Sequence, residues 1–213
     1  MAEAENMEVD VADIPELRSS VGLCGFMELV FHHLMYVKNI YPKEAFKRCM
    51  RKNVPIWMCE HPGVKKYVIN FLDFANKLLM QTKKLKICFV LCRRNKEVIE
   101  EFYFELKVKD LFVESESKLV CLLDNLVSIC EDIHKTNTFT DFNTIHSGER
   151  EITFELQILL KPPVELPKQS PDYGWVVYYG SEGGEENSLK KVTPLKEERN
   201  KTYEVKAYAF KKE

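Results

Sequence analysis

The sequence contains no Gly-x-Ser-x-Gly nucleophile elbow, no His-Glu-x-x-His and no Cys-x-x-Cys pair. Three common routes to hydrolytic, metal-assisted and thiol redox catalysis therefore have no motif here. A phosphate-binding loop is missing too, because Gly180, Gly183 and Gly184 are followed by neither the helix nor the lysine that make such a loop work. Charge of one sign is not in excess: the formal net charge is -2 and the isoelectric point about 6.3, which gives no basic surface for nucleic acid. No run is expected to reach the roughly 18 apolar residues of a membrane span. A disulfide framework is absent as well. The seven cysteines, at positions 24, 49, 59, 88, 92, 121 and 130, are odd in number and sit mostly in apolar runs, the usage of intracellular thiols.

What remains as candidate chemistry is thin. Cys59-x-His61 with Cys49 lacks the second pair of a structural zinc site. Cys88 and Cys92, four apart on a strand, would hold their sulfurs about 13 Å apart. His32 and His33 are adjacent on a helix and project about 100° apart; His32 is read as part of a polar strip. Glu100 and Glu101 point to opposite faces of a strand and cannot act as a carboxylate dyad. The expectation is a protein without cofactor or metal that is not an enzyme; an enzyme using a cysteine or a bound metal is the reading from a different class.

The chain is long enough, and at 45% hydrophobic apolar enough, for one domain with a real core. Residues 1–15, acidic and poor in apolar side chains, read as a disordered leader. From Glu16 to Ile40 a broad apolar stripe predicts a long helix buried on most sides, ended by Tyr41-Pro42. Lys43 to Met50 reads as a short second helix carrying a basic patch, Lys47, Arg48, Arg51 and Lys52, most simply a solvated face. Asn53 to Cys59 reads as an edge strand, since Pro55 cannot donate to a ladder. His61-Pro62 opens a helix with Val64, Tyr67, Val68, Phe71, Leu72, Ala75, Leu78 and Leu79 on its stripe. Lys86 to Cys92 and Val98 to Val108 make a hairpin in which Glu100 interrupts an otherwise apolar face. An amphipathic helix follows Ser115 or Ser117 and runs to Ile133, and Glu151 to Lys161 is a strand with Ile152, Phe154, Leu156, Ile158 and Leu160 on one face. Runs of helices and strands in this order predict an α+β fold, helices on one face of a mainly antiparallel sheet.

The last quarter has a different texture. Pro162, Pro163, Pro167 and Pro171 interrupt the chain, and Pro171 to Gly180 is a short aromatic strand in which Tyr173, Trp175, Val177 and Tyr179 alternate with Val176 and Tyr178. Two further strands are expected at Val192 to Leu195 and Thr202 to Phe210. This tail is too aromatic for water and too small for its own core, so it packs on the body, on a partner, or on both.

Ile40-Tyr-Pro-Lys-Glu-Ala-Phe46, Asn53-Val-Pro55, His61-Pro62 with Tyr67, the hairpin around Val98 to Phe104, and Trp175 with Pro194-Leu-Lys196 together resemble the HORMA domain proteins, over about residues 17 to 210. Within that family they look most like the accessory subunit of translesion DNA polymerase zeta rather than its spindle-checkpoint relative. The resemblance implies a HORMA domain over residues 16–213 whose segment 161–213 is a safety belt that closes over an extended partner peptide. It implies a proline-containing segment of the polymerase zeta catalytic subunit as ligand, gripped by Tyr67, Trp175 and Val177. It implies a second surface, at Val192, Lys206 and Tyr208, for the C-terminal domain of a Y-family scaffold polymerase. A shieldin-type subunit and an ATP-driven HORMA remodeller are further implied partners, and the nucleus, also the cytoplasm, is the implied location. Asp124 stands where the family carries an arginine on its HORMA-to-HORMA pairing helix, a departure that puts pairing by that route in question. A spindle-checkpoint adaptor regulating the anaphase-promoting complex shares the mechanism and differs in ligand.

Overall fold

The computed structural model describes residues 19–110, 124, 126–136, 152–160, 166 and 191–211. The expected leader, most of the proline-rich connector, the aromatic strand at 171–180 and the first part of the third expected helix lie outside the described residues. The first helix, α1 (Ser19–Val37), follows the apolar stripe, and Leu23, Met27, Val30, Phe31, Leu34 and Met35 are buried. Contrary to the expectation that no run would be long enough, Ser20–Val37 has the length and apolar composition of a membrane span, but its faces pack against the rest of the protein. His32 is not on a polar strip: it is fully buried, and its Nδ1 accepts the Cys59 N–H at 3.2 Å. Burial lowers its pKa to about 4 and does the same to His33, so both sit neutral in the core near pH 7.

The helix expected over Lys43 to Met50 is instead a single 3-10 turn, Lys43–Ala45, followed by strand β1 (Phe46–Arg51), which pairs antiparallel with β2 (Val54–Cys59). Phe46 and Cys49 are buried while Lys47 and Arg48 are exposed, and that spacing of three imitates a helix. The decisive feature is the turn. Lys52 and Asn53 both hold positive φ, 44° and 62°, the signature of the tight two-residue hairpin that sets Arg51 opposite Val54.

Helix α2 (Pro62–Thr82) starts on proline, whose missing N–H costs nothing in a first turn, and buries Val64, Val68, Phe71, Leu72, Ala75, Leu78 and Leu79. Strands β3 (Lys84–Arg93) and β4 (Val98–Val108) form the expected hairpin. Helix α3 (Ser128–Thr136) packs on α1, and β5 (Ile152–Leu159), β6 (Lys191–Arg199) and β7 (Tyr203–Lys211) complete an antiparallel sheet of order β5-β3-β4-β7-β6. Its inner face carries Ile87, Phe89, Phe102, Phe104, Leu106, Leu156, Tyr203 and Val205, all buried. Phe31 of α1 meets Phe71, Phe89 and Phe104 with ring centroids 6.2, 5.9 and 5.9 Å away, tying the long helix to α2 and to the sheet.

A register shift between Leu91 and Cys92 makes Ile99 the extra residue of a bulge. Val98, expected on the face of Phe102, therefore pairs with Cys92 and packs with Cys88, Val90 and Cys92 on the outer face. Glu100 keeps the inner face. Its Oε2 lies 2.8 Å from Nζ of Lys38, just beyond α1, and that ammonium also sits 5.1 Å over the Phe102 ring. Burial lowers the Lys38 pKa, and Glu100 opposes the shift.

Candidate functional site

Among the described residues no strand pairs with the far edge of β5. Leu156 stands opposite Phe89 and turns its N–H away from β3, where it donates to the Tyr67 hydroxyl of α2 at 3.4 Å. Since alternate residues of an antiparallel strand share a direction, Phe154 and Ile158 also turn their main-chain groups outward. The Tyr67 ring stands edge-on to Phe154 at 5.7 Å, and the Tyr41 ring is edge-on to Phe154 at 6.4 Å. Phe154 in turn stacks on Phe89 at 5.1 Å with 6° between the planes. Three partly buried rings thus form a shelf along the strand edge. Burial raises the Tyr67 pKa, with the Leu156 N–H partly offsetting it, so the phenol stays protonated at neutral pH. Chemically this is a place to hold an extended chain: main-chain groups for its backbone, aromatic faces for its side chains.

Tyr67 therefore sits where a peptide-gripping residue is useful, whereas Trp175 and Val177 lie outside the described residues. Tyr41 and Phe154 were missed as site residues. Tyr41 was legible only as the helix stop before Pro42, and Phe154 only as one member of an apolar alternation; nothing local marks that the two meet.

The outer face of the sheet brings together the second expected set. Val192 pairs with Phe210, Pro194 with Tyr208, and Glu197 with Lys206, which places Val192, Lys206 and Tyr208 on one face of β6 and β7. Val192 is 54% exposed, an uncovered apolar side chain near the start of β6. Tyr208 stacks on Tyr103 at 5.5 Å and donates its hydroxyl to Glu105 Oε1 at 2.7 Å. Lys86 Nζ lies 4.6 Å over the Tyr103 ring and 5.4 Å over Tyr208, and Lys206 Nζ lies 3.4 Å from Glu197. The face is a rigid aromatic platform with fixed cations. Asp124 lies apart from it, its carboxylate 3.5 Å from Arg51 Nε and 3.4 Å from Lys52 Nζ, so half of the basic patch pairs with this residue.

A solved structure of the mitotic checkpoint complex contains a chain that superposes with a TM-score of 0.70 at 18% identity, covering 92% of this chain and 99% of that one. The chain has the HORMA fold. A structure of HTP-2 bound to HTP-3 motif-6 shares the fold at a TM-score of 0.61 and 12% identity, covering 91% of this chain and 90% of that one. In sequence it is 28% identical over 129 residues to the proteins named mitotic spindle assembly checkpoint protein MAD2B of Danio rerio and Homo sapiens, an alignment covering 55% of this chain and 61% of each relative. It is 25% identical over 103 residues to DNA polymerase zeta subunit 2 of Drosophila melanogaster, covering 48% of this chain and 52% of the relative. The match thus spans about three fifths of the first relatives' length, 61%. No family model matches the chain. In this chain β7 and β6 extend the sheet beyond β4, so β5 and β6 are its two edges among the described residues, and only the β5 edge runs beside the Tyr67 and Phe154 rings.

Proposed function

We propose that the protein is a non-catalytic adaptor that holds an extended, proline-containing peptide of the polymerase zeta catalytic subunit along β5 and closes residues 161–213 over it. The observation that carries this reading is the outward-facing edge of β5 beside the Tyr41, Phe154 and Tyr67 rings. A peptide strand there gains ladder hydrogen bonds, and flat proline rings suit aromatic faces. The kinship in sequence to DNA polymerase zeta subunit 2 supports that ligand class. Trp175 and Val177 supply the moving half of the grip and Tyr67 the fixed half.

The same reading assigns the platform of Val192, Lys206 and Tyr208 to a Y-family scaffold polymerase, so that one chain bridges two polymerases in translesion synthesis and the DNA damage response, in the nucleus and also the cytoplasm. A shieldin-type subunit would compete for the β5 edge, and an ATP-driven remodeller would reopen it.

A fluorescent peptide from the polymerase zeta catalytic subunit should bind the native chain, and Tyr67→Ala and Trp175→Ala should each weaken it by about 2 kcal/mol, as for buried aromatic anchors. Equal affinity for all three proteins would remove both residues from the site. Binding of a spindle-checkpoint peptide in place of the polymerase peptide would instead overturn the ligand and favour the checkpoint adaptor, a reading that the MAD2B relatives' names support.

A further inference from the structure

At the start of β5 the outer face opens into a cleft of about 600 Å³ lined by Cys92, Arg93, Arg94, Lys96, Thr153 and Glu155 among others. Three of these six are cations: Arg93 ends β3, and Arg94 and Lys96 lie in the turn between β3 and β4. That turn is fastened by main-chain bonds from Arg93 N to Glu97 O and from Lys96 N to Arg93 O, both 2.9 Å, and by the Asn95 side chain accepting the Glu97 N–H at 3.0 Å. The cations are therefore held in place by a short, fixed loop. The Glu97 carboxylate lies 3.2 Å from Arg93, which offsets one charge. Glu155, two residues beyond Thr153, lies about 7 Å further along the strand. The outer side of β5 thus changes sign along its length, cationic beside Thr153 and anionic at Glu155.

We propose that this cleft selects an acidic side chain, Asp or Glu, in the peptide that pairs with β5, and by doing so sets the register of that pairing. The proposal rests on the strand-addition reading above. A strand added to β5 lies about 5 Å further out, and its residue opposite Thr153, facing outward, points its side chain over the cleft within reach of the long Arg94 and Lys96 side chains. A slip of one residue turns the acid to the inner face, and a slip of two sets it against the Glu155 carboxylate. Main-chain hydrogen bonds alone do not distinguish these registers, so the alternating charge supplies what the backbone lacks.

The test scans the labelled polymerase zeta peptide, replacing each position in turn by Glu and by Lys, against the native chain, Arg94→Gln and the Arg94→Glu/Lys96→Glu double variant. One position should exist where Glu binds tighter than Lys by about three- to fivefold on the native chain, the range of exposed ion pairs. The preference should shrink on Arg94→Gln, reverse on the double variant and fade in high salt. A flat scan with the parent peptide still bound overturns the cleft's role while leaving strand addition standing. Failure of the parent peptide to bind the native chain overturns both.

Discussion

Lys38 and Glu100 form the most buried salt bridge between a lysine and a carboxylate among the described residues. Lys38 is 2% exposed and Glu100 12%, so neither charge is shared with water to any useful extent. The pair resolves the oddity of Glu100, a carboxylate inserted in an apolar alternation: the C-terminal end of α1 delivers an ammonium to that spot, where the helix carbonyls also favour a cation. Burial disfavours the charged form of Lys38 and lowers its pKa, with Glu100 pulling the other way. Removing one partner strands the other in the core. Glu100→Gln is expected to cost roughly 3 kcal/mol or more in urea unfolding, whereas Lys38→Met with Glu100→Leu should recover most of that loss, because a well-packed apolar pair avoids desolvation altogether. If the single variant lost less than about 1 kcal/mol, the pair would count as an exposed ion pair in effect, despite its burial.

The β1–β2 hairpin is decided by two turn residues rather than by its strands. Asn tolerates the left-handed region, and Asn53 holds φ 62° there. Asn53→Val places a β-branched side chain at positive φ and should lower stability by about 1 to 2 kcal/mol, while Asn53→Gly should leave it unchanged or slightly raised; thermal unfolding of the two variants would check the contrast. A loss common to both would mean that the Asn53 side chain, and not the backbone angle, matters. The same hairpin marks the limit of what could be read from sequence. Helices α1 and α2 and strands β5 and β7 were legible because each repeats its period over eight or more residues, and β3 because its apolar run is nearly continuous. β1 was not, because two buried residues three apart fit either period, and Val98 took the other face because one extra residue in a bulge reverses everything before it. The aromatic shelf was half legible. Tyr67 stood out on a helix stripe, but its contact with Phe154 joins positions that only the finished sheet brings together.

Across the whole molecule the order of strands matters more than any single contact. β7 ends the described chain yet lies inside the sheet, between β4 and β6, with Tyr203, Val205, Ala207 and Ala209 turned to the core. β5 precedes it in sequence and takes one edge while β6 takes the other, and only the β5 edge carries the Tyr67 and Phe154 rings beside it. Along β5 the two directions of the main chain are then distinguishable. Thr153, Glu155 and Gln157 face β3 through their main-chain groups, opposite Cys92, Val90 and Cys88, while Phe154, Leu156 and Ile158 turn outward. Amide hydrogen exchange should therefore show the first set protected in the free protein and unchanged on adding the polymerase peptide. The amides of Phe154 and Ile158 should exchange quickly until the peptide is present and slowly afterwards, with Leu156 intermediate because Tyr67 already accepts its N–H. Uniform slowing of all six would point to a general tightening of the fold. No change at Phe154 and Ile158 despite bound peptide would place the ligand elsewhere, and the shelf would then be a packing feature of the core.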